Sequence, residues 1–145
     1  LKQTDPLRSF ISQSLEVAEV VGKGRGSLAR RGIERGELLI VSGPLAFATY
    51  DELAGGSHQI LVDKFFDAVQ KDASAAAHLA EFCCGDDGNR REAPNDPQGP
   101  YDEVTVREIL RRNSFAAATG IGVWHAMSFL NHGSSANAGR TYVAD

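Results

Sequence analysis

The chain has 145 residues, of which 42% are hydrophobic and 23% are charged, and its formal net charge is -4. This length fits one domain, and this composition is that of a globular protein that folds in water, so neither a disordered chain nor a membrane chain is indicated. No apolar run approaches the ~20 residues that span a bilayer, and the opening LKQTDPLRSF lacks the features of a secretory signal, which predicts a nuclear or cytoplasmic location.

Acidic residues are concentrated in the middle of the chain. Residues 51–103 carry 12 acidic and 4 basic groups, whereas residues 1–50 and 104–145 each have a small excess of basic groups. A nucleic-acid footprint needs a clustered basic face, so direct binding of nucleic acid is not expected. The acidic block would attract a basic peptide, or it is simply a solvated surface.

The first predicted element is a strand at 14–21, SLEVAEVV, in which apolar and polar residues partly alternate. It leads into GKGRG at Gly22–Gly26, where three glycines in five residues indicate a backbone that another group approaches closely. A turn at IERG then precedes LLIVS, a run from Leu38 that predicts a buried strand. The first 48 residues therefore predict strand, glycine loop, turn and strand.

Helical spacing replaces this pattern from about Asp51, where apolar residues recur three and four positions apart and predict one or two helices. The stretch 85–100, GDDGNRREAPNDPQGP, is rich in glycine and proline and predicts a mobile surface loop. A short helix follows, with Thr105 and Glu108 as a capping box and an end near Asn113. The remainder mixes glycine-rich turns with an apolar stretch, AMSFL, and ends in a strand-like RTYVA.

The two cysteines, Cys83 and Cys84, are adjacent in sequence. This spacing does not suit an ordinary structural disulfide and leaves no second pair to complete a zinc site. Two reduced thiols at a helix end are expected, and the nearby His78 does not change that. No metal site is predicted.

The glycine loop allows several interpretations. It lacks the GxxxxGK[ST] spacing of a phosphate-binding loop. Gly24, Gly26 and Ala29 match the dinucleotide fingerprint, but Gly32 and Gly36 interrupt the long helix that such a site opens. A plain hairpin with glycines at positive φ is favoured over a nucleotide-binding α/β domain, which would require a helix beginning in this loop.

A further interpretation rests on motifs far apart in the chain. GKGRGSLARRGIERGELLIVSGPLAFA, followed by NSFAAATGIGVW and then SFLNHGSSANA, closely resembles the SET-domain family of protein lysine methyltransferases in the type and order of its motifs. The NSF segment is most similar to the branch with MYND-bearing and tetratricopeptide-linked members, although no MYND cluster is present here. The resemblance covers about residues 14–48 and 110–145.

The resemblance implies a SET-type α+β fold, with small twisted sheets and a helical insertion. Residues 1–145 would form a partial SET domain that is incomplete at its C-terminus. Its N-terminal β part would be 14–48, its helical insertion 49–112 and its Asn-His part 113–145.

The resemblance also implies an activity, methylation of protein lysine side chains with S-adenosylmethionine as cofactor and a basic or lysine-bearing peptide as partner. In this reaction a neutral amine displaces a sulfonium, so the site must align the two groups. By resemblance, Arg25 assists with the cofactor carboxylate, while the Asn131 side chain and the His132 backbone meet its amino group and adenine. The implied cofactor-binding residues are Lys23, Gly24, Arg25, Gly26, Asn113, Asn131 and His132.

Considered without the resemblance, these residues also fit ordinary structural roles. Arg25 also fits a solvated loop, Asn113 also fits a helix C-cap, and Trp124 is more typical of core packing than of an adenine pocket. Tyr142 follows the Asn-His motif too closely to be the family's catalytic tyrosine. That tyrosine is expected after a GEEL-like segment beyond residue 145, so the chain reads as an excerpt that is inactive by itself.

One departure from the family pattern concerns the Asn-His motif. Many members carry cysteine where this chain has Ser134, which excludes a family-style zinc site at that position. The alternative function is a catalytically inactive SET-like scaffold that serves as a protein-interaction module.

Overall fold

The computed structural model describes residues 10–55, 58–72, 75, 78, 81–82, 102–131 and 133–142. The fold is mixed α and β, with small antiparallel sheets and a few helices, as the predicted α+β class requires. The chain divides into two compact units. The hairpin unit comprises Leu1–Gly43 and Ala126–Asp145, and the helical unit comprises Pro44–His125.

The described residues of the hairpin unit form four strands. β1 (Phe10–Ile11) pairs antiparallel with β4 (Ile40–Val41), and β2 (Leu15–Val20) pairs antiparallel with β3 (Gly24–Ala29). The glycine loop is thus the turn of a β-hairpin. Because β3 begins at the second glycine of the loop, the helix that a dinucleotide-binding domain needs there is absent, and that interpretation is wrong.

Glycine is required at the tip of this hairpin for conformational reasons. Gly22 and Gly24 have φ angles of +74° and +71°, a left-handed region that residues with a side chain rarely adopt. The N–H of Lys23 donates to the carbonyl of Val20 at 2.9 Å and closes the turn. A hairpin with glycines at positive φ, which the sequence favours over the dinucleotide site, is therefore confirmed.

The turn at IERG is also present, with Gly36 at φ +88°. Glu37 anchors it, because Arg31 Nη2 donates to Glu37 Oε1 at 2.6 Å and Ser14 Oγ donates to the same oxygen at 3.1 Å. The hydrogen bond from Arg31, followed by that from the backbone N–H of Glu34, holds the pKa of the Glu37 carboxyl below its usual value. These contacts tie the segment before β4 to the start of β2.

The second predicted strand is shorter and more exposed than its sequence indicates. Only Ile40–Val41 is extended and paired, both residues are half-buried, and Leu38 is 61% exposed. The prediction of a buried strand from Leu38 is therefore wrong. The reason is that the single described partner of this strand is the two-residue β1, so no sheet covers the rest of the apolar run.

A three-stranded antiparallel sheet forms the base of the helical unit. Its order is β5 (Ala46–Thr49), β7 (Gly120–Val123), β6 (Ser114–Ala116). The described residues of this unit also form the helices α1 (Tyr50–Ala54), α2 (Gln59–Lys71) and α3 (Glu103–Asn113). A further short helix, α4 (His125–Ser128), follows β7 and accounts for most of the apolar AMSFL stretch.

Apolar side chains spaced for one helix face supply the core of this unit, as the predicted helical periodicity requires. The buried cluster comprises Ala46, Ala48, Leu61, Val62, Phe65, Phe82, Val106, Ile109, Leu110 and Val123. The faces of α2 and α3 thus pack together with β5 and β7. Within the described residues, no helix is long and apolar enough to cross a membrane.

The helix ends show which side chains cap them. Thr49 and Glu52 form a capping box at the start of α1, and Lys64 Nζ lies 2.7 Å from Glu52 Oε1. The hydrogen bond from Lys64, then that from the Thr49 backbone, lowers the pKa of the Glu52 carboxyl. This network fastens α1 to α2.

The cap of α3 differs from the sequence prediction. Asp102 is the N-cap, and its carboxylate accepts from the N–H of Thr105 at 2.8 Å. The predicted capping box of Thr105 and Glu108 is wrong, because the helix has already begun at Glu103. Its predicted end near Asn113 is confirmed.

Two other predictions concern the loop and the tail. The predicted mobile loop at 85–100 lies outside the described residues. In the tail, Arg140–Tyr142 is not extended in a strand, so the strand prediction is wrong for these three residues. Arg140 instead lies over the ring of Tyr142, with its guanidinium carbon 5.6 Å from the ring centroid.

Candidate functional site

The hairpin unit brings together two of the predicted cofactor residues, Gly26 and Asn131. Gly26 is buried in the middle of β3. A Cβ atom built on it would overlap the Asn131 Nδ2 atom and would lie 3.2 Å from Asn131 Cγ. Glycine at this position therefore leaves the space that the Asn131 side chain enters.

Backbone contacts fix the segment that carries Asn131. The N–H of Ser27 in β3 donates to the carbonyl of Phe129 at 2.7 Å, and the N–H of Leu130 donates to Met127 O at 3.0 Å. The Phe129 side chain is buried. The turn that follows α4 is thus hydrogen-bonded to β3, and this contact positions Asn131 beside the glycine strand.

Arg25 lies on the same strand. Its guanidinium carbon is 5.6 Å from the centroid of the Phe129 ring, a distance that permits a cation–π interaction. The side chains of Arg25, Lys23 and Asn131 are exposed. Two cations and one amide of the hairpin unit are therefore accessible to a ligand, while His132 lies outside the described residues.

Asn113 is in a different environment, at the end of α3 in the helical unit. Its side chain is 4% exposed, and its amide nitrogen donates to the carbonyl of Ile109 at 2.8 Å. The bond returns to the carbonyl one helical turn earlier, so the side chain is held against its own helix. Asn113 is the last residue of α3 and Ser114 is the C-cap, so the C-cap role that the sequence left open for Asn113 is wrong.

Trp124 packs in the interior of the helical unit. It is 7% exposed and meets Phe47 edge to face, with ring centroids 6.1 Å apart. Core packing, the role favoured from the sequence, is confirmed.

A cavity of about 410 Å³ is also present in the helical unit. Its described lining residues include Leu61, Val62 and Ile121, with Arg107 and Arg111, and none of them is a predicted cofactor residue. The cavity and the Gly26–Asn131 junction are therefore separate features of the molecule.

The structure also forms a cluster that sequence reasoning missed. His78, Glu81 and His125 of the helical unit each offer one ligand atom, and these atoms all lie within 4.8 Å of one another. The three-residue spacing of His78 and Glu81 was the only local signal, since one helical turn places such residues on the same side. His125 is far away in sequence and comes to the pair only through the fold.

No known family model, curated protein or solved structure matches this chain. Its function is therefore inferred from its own residues and their geometry.

Proposed function

We propose that the chain adopts a SET-type fold in a nuclear or cytoplasmic protein and binds S-adenosylmethionine at the Gly26–Asn131 junction, for transfer of a methyl group to protein lysine. The observation that carries the proposal is the contact between these two residues. They belong to motifs that are distant in sequence, and the SET-type resemblance requires both at the cofactor.

The side chains at this junction fit the amino-acid end of the cofactor. Arg25 and Lys23 are exposed cations on the hairpin, and they suit a carboxylate. The Asn131 amide has a carbonyl oxygen that accepts from an ammonium group and an NH₂ that donates to ring nitrogens. When bound, S-adenosylmethionine supplies a sulfonium-activated methyl group for displacement by a neutral lysine amine.

Close approach of a ligand is favoured by the backbone of the hairpin. Gly24 is only half-buried and Gly22 is exposed. A Cβ atom built on either glycine would meet no atom within 4 Å. Because glycine has no side chain, a ligand has room to approach the backbone N–H and C=O groups of the turn. In the proposed reaction these groups hold the cofactor.

A basic, lysine-bearing peptide is the proposed substrate. The acidic excess of residues 51–103 would favour its encounter with the protein, because opposite charges accelerate association. This contribution should weaken as salt increases.

Isothermal titration calorimetry of this chain with S-adenosylmethionine tests the proposal. We expect micromolar binding, about -8 kcal/mol. Asn131→Ala should weaken it about 10- to 100-fold, because hydrogen bonds to charged groups are lost. Gly26→Ala should do the same by displacing the Asn131 side chain. Gly32→Ala is the matched control, since a Cβ there meets nothing within 4 Å.

Circular dichroism must show that each variant is folded. Binding that is unchanged in folded Asn131→Ala would contradict the proposed location of the site. If the folded wild-type chain does not bind S-adenosylmethionine, the methyltransferase proposal fails and the inactive SET-like interaction module takes its place.

A further inference from the structure

We propose that His78, Glu81 and His125 form a binding site for a divalent transition-metal ion, with Zn²⁺ as the best match. The site belongs to the helical unit and is independent of the proposed cofactor site. Two imidazoles and one carboxylate form a donor set that zinc uses in proteins, with a fourth position left to water or substrate.

The distances within the cluster are close to those a bound ion needs. Glu81 Oε2 lies 2.5 Å from His125 Nε2 and 3.8 Å from His78 Nδ1. Zinc bonds of about 2.0–2.1 Å place tetrahedral ligand atoms roughly 3.3 Å apart. The carboxylate would therefore move less than about 1 Å away from His125 and slightly towards His78, a shift that side-chain rotation can supply.

The two imidazole rings are stacked, so one of them must turn for both to bind the same ion. His78 and His125 stack with ring centroids 3.7 Å apart and an interplanar angle of 24°. The ring of Phe82 meets His125 edge to face at 5.6 Å, and Phe82 also packs against Phe65 at 6.2 Å in the core. An imidazole nitrogen binds a metal in the plane of its ring, so two stacked rings do not both point at one ion. His125 packs against Phe82, and the more exposed His78 is therefore the ring that would turn to complete the site.

Access from solvent is retained on the other side of the cluster. The side chain of His125 is 18% exposed, whereas those of His78 and Glu81 are 38% and 43% exposed. The N–H of Glu81 donates to the carbonyl of His78 at 3.0 Å, so one backbone turn presents both side chains together. An ion can enter from solvent, and a water molecule can occupy a remaining coordination position.

An ion pair between Glu81 and His125 without a metal is the competing explanation of the cluster. Titration of the chelator-treated chain with Co²⁺, followed by visible absorption, distinguishes the two, because tetrahedral Co²⁺ with nitrogen and oxygen ligands has intense d–d bands. Competition by Zn²⁺ then gives its affinity. We expect one ion per chain, with loss of at least tenfold in affinity for His125→Ala and for Glu81→Gln.

His58→Ala is the matched control, because His58 is an exposed histidine of the same unit that is outside the cluster. A Cys83→Ser, Cys84→Ser double variant tests the thiols, whose ligation of Co²⁺ would add a near-ultraviolet charge-transfer band. Glu81→Gln changes a partly exposed group, so it remains informative if His125→Ala fails to fold.

Binding that persists in both controls and is lost in folded Glu81→Gln supports the site. No stoichiometric binding by folded wild-type chain overturns the proposal. Binding that is unaffected by Glu81→Gln and His125→Ala, or that disappears in the cysteine variant, also overturns it, because the ion would then be held elsewhere.

Discussion

Gly120 and Gly26 both lack room for a side chain, but different atoms limit them. A Cβ on Gly120 would lie 2.9 Å from the carbonyl carbon of Ala48 and 2.8 Å from Phe47 Cζ. The Ala48 backbone belongs to the paired strand β5 and cannot move aside without disturbing the sheet. At Gly26 the obstacle is the end of the flexible Asn131 side chain, which can rotate away.

We therefore predict that Gly120→Ala lowers the free energy of unfolding by about 2–4 kcal/mol, as overpacking against fixed backbone does. Urea unfolding followed by Trp124 fluorescence measures this change. Gly55→Ala is the control, because its Cβ would be in ordinary contact, 3.7 Å from Asp51 O. A Gly120→Ala chain within about 0.5 kcal/mol of wild type would contradict the close β5–β7 approach.

Some of the glycine requirements and side-chain contacts could be predicted from residue identities alone. The sequence marks GKGRG as a tight turn, and Gly22 and Gly24 meet that expectation through their positive φ angles. The need for Gly26 depends on Asn131, which only the motif order of the resemblance associates with it. The contact of His125 with Glu81 has no sequence signal, because its partners meet through tertiary packing.

Helix α3 shows how local signals compete at the level of elements. Two overlapping patterns could cap it, Asp102 with Thr105 and Thr105 with Glu108. The first prevails in the structure: Asp102 accepts from the Thr105 N–H at 2.8 Å and from its hydroxyl at 3.0 Å. The carboxylate also lies at the positive end of the helix dipole, which adds to its advantage as a cap.

Asp102→Ala should therefore destabilise the chain by about 0.5–2 kcal/mol, the usual cost of losing an N-cap. Thr105→Ala should cost less, because it removes the hydroxyl but leaves the backbone N–H bond to Asp102. Thermal unfolding of the two variants side by side provides the comparison. A larger loss for Thr105→Ala would support the cap expected from the sequence and contradict the observed one.

Long periodic elements could be predicted, but short strands could not. The apolar spacing that gives α2 and α3 is visible over several turns. The sequence predicts glycine-rich turns where the structure has the strands Ser114–Ala116 and Gly120–Val123. Small residues over so few positions do not show the alternation of apolar and polar side chains that indicates a strand. Pairing with β5, a contact between distant segments, determines that they are extended.

For the whole molecule, the two units differ in how much apolar surface they bury. The buried hydrophobic cluster lies entirely within the helical unit. In the hairpin unit, the described buried residues are Ser12, Ser14, Gly26, Ala126 and Phe129. The division of the chain into two units could not be predicted from length and composition. It depends on the packing of residues 126–142 with the first part of the chain.

A two-stranded hairpin with little apolar cover is marginally stable in water, so β2 and β3 should open locally without unfolding of the helical unit. We predict that backbone amides of α2 and β7 exchange with solvent deuterium about 100-fold more slowly than those of β2 and β3. Hydrogen exchange at neutral pH, resolved by residue with NMR, measures the difference. Phe65→Ala provides the control, because loss of core packing should accelerate exchange in α2 and β7 more than in the hairpin. Equal protection of both sets of amides in the wild type would instead mean that the two units unfold together, since local opening of the hairpin would then cost as much as loss of the core.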